Sequence, residues 1–323
     1  MNSTRLKSIT SNLRPEKRYF SRALRAIVGM APKVGIIAAS DRPQGISIFM
    51  RVKDEVDWIV PSVGSIMRIA DEMVIVDNGS TDGTFEVLQQ MAAQHHGKIH
   101  LFHQPEYDLC RLSNFALSQT KFRWVFRWDG DMVAHTSGQL DIANLREWLF
   151  SLNQSAYYLV HLLHINLVGD LYHQDPEEMV HIEEYIHTFS EKAFFIHPGR
   201  FEAVRFPKFY LPLYYYEPVG FHVNVKPASR MLSRYFWEEW LELKGDRRFP
   251  SLESYVRLRI KREFETESIE EARHRCLQRL CRSYIRYEPG KFGPYPELLM
   301  PYLKSSRYRL TYENGRITGR EEE

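Results

Sequence analysis

Residues 73–84 read MVIVDNGSTDGT, and this stretch decides the fold. It begins with apolar, mostly β-branched residues, which are typical of a strand buried on both faces of a parallel sheet. Asp77 closes that strand, glycines and small polar residues follow, and Asp82 stands where a helix N-cap is expected. We therefore predict a strand, a short loop and a helix over 82–94, which together form a βα unit.

The segments on both sides continue this alternation of strands and helices. Apolar runs predict strands at 46–50, 73–77, 99–102 and 123–129, and helical spacing predicts helices at 58–70 and 111–120. The pattern indicates an α/β fold with a Rossmann-like, mostly parallel central sheet flanked by helices. Ligands of such sheets bind at the carboxyl ends of the strands. Asp77 lies at one of these ends, and Asp129-Gly130-Asp131 lies at another.

The composition is that of a globular protein of a size suited to an enzyme. The 323 residues are 44% hydrophobic and 26% charged, which excludes a disordered or fibrous chain. Lys and Arg number 43 against 41 Asp and Glu, so the charge of +2 does not indicate a nucleic-acid partner. The cysteines Cys110, Cys276 and Cys281 lack a C-x-x-C spacing, which argues against a disulfide framework and a thiolate zinc site. A reducing compartment fits best.

Residues 1–43 are interpreted as a basic N-terminal arm. Its first 33 residues hold eight basic side chains and one acid, Glu16. The part over 17–30 could form a basic amphipathic helix on anionic lipid, and the alternative is a solvated arm. No apolar run reaches the roughly 18 residues of a membrane-spanning helix, and no signal peptide is visible. We therefore expect a cytoplasmic protein with peripheral contact on the inner face of the membrane.

Two acidic positions at the strand ends indicate a ligand site. Asp129 and Asp131 are carboxylates one residue apart, and Gly130 allows the bend that lets both face one ion. Such hard oxygen ligands suit Mg²⁺ or Mn²⁺, although a solvated turn is the alternative. Asp77 could accept a hydrogen bond from the N3–H of a uracil. Its alternative is a βα turn capped by Asp82 without any ligand.

Four segments of the chain resemble the family 2-like glycosyltransferases of GT-A fold. They are residues 52–55, 71–84, 111–117 and 128–131. The resemblance covers roughly residues 46–135 and extends more weakly to about 227. It implies transfer of a sugar from a nucleotide-sugar donor to a hydroxyl of a glycan or glycolipid acceptor. A UDP-sugar is the first candidate for the donor, and cell-surface polysaccharide synthesis is the process in which such a transfer would occur.

The resemblance also implies roles for particular residues. The nucleotide-sugar site would be formed by Lys53, Glu55, Asp77, Asn78, Gly79, Arg111 and Asp129. Mn²⁺ or Mg²⁺ would be held by Asp129 and Asp131, and His222, in the stretch VGFHVNVK over 219–226, matches a late metal-binding histidine. The chain departs from the family pattern at Asp54, where Asn is common. It departs again at Ser113-Asn114, where the family has Arg-Asn and this chain has Arg111 two places earlier.

Transfer with inversion needs a base that accepts the proton of the acceptor hydroxyl. In the family this acid lies between the paired aspartates and the late histidine, where the candidates are Asp170, Glu183, Glu184 and Glu217. We rank Glu183 first and Glu184 second, because residues 181–190 form a polar segment that carries aromatic residues. The neighbouring histidines His173, His181 and His187 show no spacing typical of a second metal site.

The organisation predicted beyond this region is simple. Residues 44–228 form the GT-A domain, and residues 229–323 form a helical extension with a terminal hairpin. Helical spacing covers 229–243 and 251–287, and Asn314-Gly315 indicates the turn of a hairpin over 307–318. We expect the last four residues to be disordered.

Two other classes of protein remain open. A sugar-1-phosphate nucleotidyltransferase would share the βα pattern, but it would carry a Gly-rich basic loop after the first strand, where this chain has residues 50–55. A non-catalytic sugar-binding scaffold would keep the fold and have no use for paired acids at a strand end.

Overall fold

A computed structural model describes residues 41–106, 108–197, 202–243 and 249–322. Almost all of the predicted basic arm therefore lies outside the described residues. The strands are β1 Ile46–Val52, β2 Glu72–Asp77, β3 Ile99–His103, β4 Trp124–Arg127, β5 Met132–Ala134, β6 Tyr158–Val168, β7 His173–Gln174, β8 Val180–Thr188, β9 Phe194–Ile196, β10 Ala203–Arg205, β11 Leu211–Asn224, β12 Ile285–Arg286, β13 Tyr308–Glu313 and β14 Arg316–Glu322.

The helices flank these strands and alternate with them in the first half of the chain. They are α1 Ile59–Ile66, α2 Thr84–Gln94, α3 Leu109–Gln119, α4 Ile142–Ser151, α5 Ala228–Glu242, α6 Leu252–Glu263, α7 Ile269–Cys281, α8 Pro289–Phe292 and α9 Met300–Ser305. Among the helices of the described residues, none has the length and apolarity needed to cross a lipid bilayer.

The central sheet has eight strands in the order β3-β2-β1-β4-β8-β6-β11-β5. The first four strands pair in parallel, and so do β6 and β11. Antiparallel pairs join β4 to β8, β8 to β6 and β11 to β5. The predicted α/β fold with a mostly parallel sheet flanked by helices is therefore confirmed. The carboxyl ends of β1, β2 and β4 meet at one edge, where Val52 lies beside Asp77.

The parallel strands are buried because helices cover both of their faces. Ile48, Ile75 and Phe126 are fully buried in the core on one side, and Phe49 and Val74 lie in the core on the other. Burying one such side chain stabilises the fold by about 1.5–3 kcal/mol. The near-continuous apolar runs of the sequence thus have a direct structural cause.

The start of α2 differs from the prediction. The N-cap is Gly83, with φ of 99°, and α2 begins at Thr84. The Asp82 carboxylate still accepts a hydrogen bond from the Thr84 backbone N–H at 3.0 Å. A left-handed backbone at Gly83 is needed for this turn, and glycine adopts it without steric cost. Asp82 is therefore not the N-cap itself but stabilises the loop from the position before the N-cap.

The segment over 251–287 is not one helix but α6 and α7, which are separated by residues 264–268. These two helices pack with α5 around their own apolar cluster, which includes Phe236, Tyr255 and Ile260. The capping side chain of Ser268 begins α7 by accepting a hydrogen bond from the Glu271 N–H.

Strands β13 and β14 pair as an antiparallel hairpin, and its turn has φ of 48° at Asn314 and 76° at Gly315. The expectation that the last residues are disordered is wrong for 320–322, which belong to β14. The Arg320 guanidinium donates hydrogen bonds to the carbonyl oxygens of Gly169, at 2.9 Å, and Lys226, at 2.6 Å. A charged side chain that satisfies buried carbonyl groups holds this end of the chain in place.

Strand β5 approaches β11 closely at Gly220, and a substitution there can test this contact. A Cβ atom at Gly220 would lie 2.3 Å from the Val133 carbonyl oxygen, so an added methyl group forces the two strands apart. We expect Gly220→Ala to lower the free energy of unfolding by about 1–3 kcal/mol, as measured by urea denaturation. Gly290→Ala is the control, because a Cβ atom there meets nothing within 4 Å. Equal stability of the two variants would contradict this reading of the β5–β11 contact.

Candidate functional site

The pairing of β5 with β11 brings the Asp129-Gly130-Asp131 turn next to His222. This turn lies between β4 and β5, and His222 pairs with Met132, the first residue of β5. The Val223 N–H donates a hydrogen bond to the Asp131 carbonyl oxygen at 2.8 Å, which fixes the turn against β11. The His222 Nε2 atom consequently lies 3.2 Å from Asp131 Oδ2. Two of the three predicted metal ligands are thus adjacent.

A buried lysine completes the surroundings of Asp131. The Lys226 Nζ atom lies 2.7 Å from Asp131 Oδ2 and also forms an ion pair with the Glu55 carboxylate. Arg230 Nη2 lies 3.1 Å from the second oxygen of Glu55. We call Glu55, Asp131, His222, Lys226 and Arg230 the ionic cluster. The Glu55 carboxylate therefore has its ion-pair partners, Lys226 and Arg230, within the protein.

The ionic cluster shifts the pKa values of its members. Burial opposes the charge on Asp131, but Lys226 and His222 outweigh it and hold the pKa of Asp131 well below its usual range. Burial likewise favours a neutral His222, yet contact with the Asp131 carboxylate raises the pKa of His222. The pKa of Glu55 is raised, mainly by burial, with Lys226 acting in the opposite direction. Asp131 is therefore an ionised carboxylate at neutral pH.

Asp129 faces a different partner. Its Oδ2 atom lies 3.5 Å from Arg127 Nη2, and the same guanidinium nitrogen donates to Glu183 Oε2 at 3.0 Å. The Arg127 guanidinium also packs over the Tyr185 ring, 5.1 Å from its centroid. Arg127 thus joins the paired aspartates to the β8 segment.

Asp129 and Asp131 fit a divalent cation, since carboxylate oxygens suit Mn²⁺ or Mg²⁺, and His222 adds an imidazole of the kind that binds transition metals. Their ligand atoms do not all lie within 4.8 Å of one another. Within the described ranges, the one group of three candidate ligands that does so is Asp108, Cys110 and His197, which the sequence did not indicate. There the His197 Nε2 and Asp108 Oδ1 atoms are 3.2 Å apart.

Asp77 has one free carboxylate oxygen at the end of β2. Its Oδ1 atom accepts hydrogen bonds from the backbone N–H groups of Gly79 and Ser80, at 3.0 and 3.1 Å, and lies 2.9 Å from His103 Nδ1. Its Oδ2 atom is buried and makes no hydrogen bond with the described residues. A buried acceptor without a partner is costly unless a ligand supplies a donor.

The residues after Asp77 shape the loop. Asn78 Oδ1 accepts a hydrogen bond from the Glu106 N–H at 3.0 Å. Gly79 has φ of 72°, and a Cβ atom there would lie 2.9 Å from the Cβ of Pro105, so the position suits glycine alone. Asn78 and Gly79 therefore hold the loop against the segment that precedes α3.

The remaining predicted donor-site residues are at the surface. Lys53 is exposed. The side chain of Arg111 is 75% exposed and pairs with Glu106 at 3.0 Å. The described ion pair of Arg111 thus joins this side chain to Glu106 and not to the ionic cluster.

The predicted base candidates lie in three different places. Glu183 is closest to the paired aspartates, through Arg127, and it contacts His181 Nε2. The side chain of Glu184 lies outside the described residues. Asp170 is buried and holds His173 Nδ1 at 2.5 Å, remote from any contact with the ionic cluster, and Glu217 is exposed. Glu183 is therefore the carboxylate that the fold places beside the candidate metal ligands.

Sequence reasoning missed Arg127, Lys226 and Arg230. Lys226 could have been found from the alternation of β11, because His222, Asn224 and Lys226 are spaced by two residues. Arg127 and Arg230 gave no such signal, since an arginine in a strand or in a helix is usually a surface residue.

Comparisons with known proteins agree with the predicted family. A family model described as "Glycosyl transferase family 2" matches residues 47–143. A protein of Rickettsia prowazekii named "Uncharacterized glycosyltransferase" is 26% identical over 149 residues, which are 46% of this chain and 47% of the relative. A Rickettsia typhi protein of the same description is 28% identical over 116 residues, 36% of either chain. The match thus spans less than half the length of these curated relatives.

Solved structures with low similarity were also found. "S. aureus TarS 1-349" is 11% identical, with a TM-score of 0.39, and the match covers 84% of this chain and 95% of that one. "Mannosyltransferase PcManGT from Pyrobaculum calidifontis in complex with GDP-Man and Mn2+" is 12% identical, with a TM-score of 0.36, covering 94% and 91%. The similarity to glycosyl transferase family 2 therefore rests on the sequence matches, and the family model places it at residues 47–143.

Proposed function

We propose that this protein transfers a sugar from a nucleotide-sugar donor to a hydroxyl group of a glycan or glycoconjugate. The observation that supports it best is the arrangement at one sheet edge. There Asp77 ends β2 with its Oδ2 atom unpaired among the described residues, and Asp131, in the turn after β4, lies beside His222 of β11. Such an edge is where ligands of parallel α/β sheets bind.

Asp77 would recognise the base of the donor. The N3–H of a uracil is the kind of donor that would satisfy the unpartnered Oδ2 atom. A UDP-sugar is the donor we propose first, and thymine or guanine bases, which also carry a ring N–H, are included in the test. The loop at Asn78 and Gly79, together with Lys53 and Arg111, would border the rest of the nucleotide.

Asp129, Asp131 and His222 would hold Mn²⁺ or Mg²⁺, which when bound stabilises negative charge on the leaving diphosphate. The protein's own part is to keep Asp131 ionised and in place, and Lys226 and His222 do so by direct contact. Arg127 adds a fixed positive charge beside Asp129.

The acceptor side would lie on β8. In a single displacement that inverts the anomeric carbon, a base accepts the proton of the attacking hydroxyl, and the sequence candidates for it are Glu183 and then Glu184. A role in cell-surface polysaccharide synthesis, a cytoplasmic location and contact of the basic N-terminal arm with anionic lipid belong to the same proposal and rest on the sequence.

The proposal is tested with a panel of UDP-, GDP- and dTDP-sugars. Thermal stabilisation in the presence of Mn²⁺ or Mg²⁺ measures donor binding, and release of the nucleoside diphosphate measures transfer to water. We expect both signals with at least one UDP-sugar and their loss in EDTA. No response to any sugar nucleotide, with the protein folded, would overturn the proposal.

Asp77→Asn tests recognition of the base. The amide keeps an oxygen that can accept from Gly79 and Ser80, but it places a donor where the free Oδ2 atom lies. We expect UDP affinity, measured by calorimetry, to fall by about 10- to 100-fold, since an unpaired buried donor costs about 1–3 kcal/mol. Asp175→Asn, in an exposed turn, is the control. An unchanged affinity would make Asp77 a residue of the loop only.

Lys226→Met tests whether a cation can replace the ammonium group. The variant removes the buried positive charge that lies between the Glu55 and Asp131 carboxylates. We therefore expect the free energy of unfolding in EDTA to fall by about 3–5 kcal/mol. Mn²⁺ should then raise the melting temperature of Lys226→Met more than that of the parent, because the metal neutralises Asp131.

The control is Lys261→Met, which removes an exposed lysine paired with Glu267. It should leave both the melting temperature and its response to Mn²⁺ nearly unchanged. An equal response to Mn²⁺ in the parent and in Lys226→Met would show that the metal does not reach Asp131.

A further inference from the structure

His181 and Glu183 form a side-chain pair on one face of β8. They are two residues apart, so their side chains point to the same side of the strand, and His181 Nε2 contacts Glu183 Oε1. The two side chains are 36% and 39% exposed, which leaves them open to a ligand. Glu183 Oε2 accepts from Arg127 at 3.0 Å, and Arg127 contacts Asp129. The pair is thus one side chain away from the candidate metal ligands.

Glu183 is a poor proton acceptor in this position. Burial opposes its charge, but the hydrogen bond from His181 and the charge of Arg127 lower the pKa of Glu183 to about 2. Both of its oxygens already accept hydrogen bonds from these two partners. A carboxylate stabilised in its ionised form has little tendency to take a proton from a hydroxyl group.

The same contact fixes the tautomer of His181. An ionised carboxylate only accepts hydrogen bonds, so the His181 Nε2 atom must carry the proton in that contact. In the neutral ring the Nδ1 atom then holds the lone pair. Within the described ranges, no hydrogen bond is made by Nδ1 of His181.

We propose that His181 is the general base of sugar transfer and that Glu183 is the positioning residue that orients it. This inference rests on the proposed function and names the proton acceptor within it. The acceptor O–H proton passes to His181 Nδ1 while the oxygen forms a bond to the anomeric carbon. The bond from that carbon to the diphosphate breaks, and the diphosphate leaves with the electron pair. The imidazolium that results is stabilised by the Glu183 carboxylate.

The charged and titratable groups around His181 come from three strands. Glu183 lies on β8, His164 pairs with His181 from β6, and Arg127 lies on the neighbouring β4. Burial lowers the pKa of His164 to about 3, with His222 and His181 adding to the effect, so His164 is neutral at working pH. Among the described side chains, the Glu183 carboxylate is in direct contact with His181, and a negative partner suits a base that must become charged during transfer.

The kinetic test measures UDP release from UDP-glucose and UDP-N-acetylglucosamine with Mn²⁺, at pH 5 to 9. We expect His181→Gln to lower kcat/KM by about 10²- to 10⁴-fold with UDP binding unchanged. The parent should lose activity toward low pH, because only the neutral form of an imidazole accepts a proton. His96→Gln, on an exposed loop, is the control that should keep full activity.

Glu183→Gln separates the positioning residue from the base. If His181 is the base, removing the carboxylate destabilises the imidazolium. The decrease of kcat/KM toward low pH should then remain in Glu183→Gln and occur at a lower pH. Glu183→Gln or Glu184→Gln abolishing transfer while His181→Gln retains it would overturn the inference and leave the proposed function intact. No release by the parent from any sugar nucleotide would overturn both.

Two further measurements do not depend on small rate differences. In ¹⁵N-labelled protein, the ring nitrogen signals that disappear in His181→Gln belong to His181. These signals should show the Nε2–H tautomer in the parent. In Glu183→Gln they should shift toward a mixture of the two tautomers. Added imidazole should restore part of the activity of His181→Ala, because the site is open to solvent. An Nδ1–H tautomer in the parent would contradict the proposal, as would a lack of rescue in a folded His181→Ala.

Discussion

The buried contact of Lys226 with Glu55 and Asp131 is the interaction on which the site depends. It joins the loop after β1, the turn before β5 and the end of β11, three segments that are far apart in the sequence. The Arg320 guanidinium, from the terminal hairpin, donates to the Lys226 carbonyl oxygen and fixes the same segment from outside. A buried ion pair of this kind adds little net stability against an apolar equivalent, but leaving one partner unpaired is costly. The cluster therefore specifies how these segments meet.

The first half of the fold could be predicted from the sequence because local pattern and tertiary structure agree there. The apolar run before Asp77 forms β2, and the apolar stretch over 46–50 is the start of β1. The helices between these strands bury them on both faces, so the apolar residues of each run were enough to predict a strand. The ends of the elements were less predictable. The cap of α2 depends on a left-handed Gly83, which the more common preference for aspartate concealed.

The site was predictable only where it follows a strand end. Asp77, Asp129 and Asp131 stand at positions that the topology of any parallel α/β sheet brings together. Lys226 is indicated only by its spacing of two residues from Asn224 and four from His222, whereas Arg127 and Arg230 act through long-range contacts that leave no pattern in a single sequence. Whether Glu183 is a base or a partner could not be seen either, because its protonation depends on Arg127 and His181, which reach it only in the folded chain.

Charge balance connects the two halves of the site. Asp131 and Glu55 are neutralised by Lys226 and Arg230, whereas Asp129 and Glu183 share Arg127. Each of these four carboxylates thus already has a cationic partner from the protein, and a divalent ion must compete with Lys226 for Asp131 and with Arg127 for Asp129. If Asp129 turned from Arg127 toward an ion, the guanidinium would keep Glu183 on β8 and, at 3.9 Å, Glu202 as its acidic partners. In this way binding on the donor side would strengthen the contact that orients the acceptor side, through one arginine that touches both.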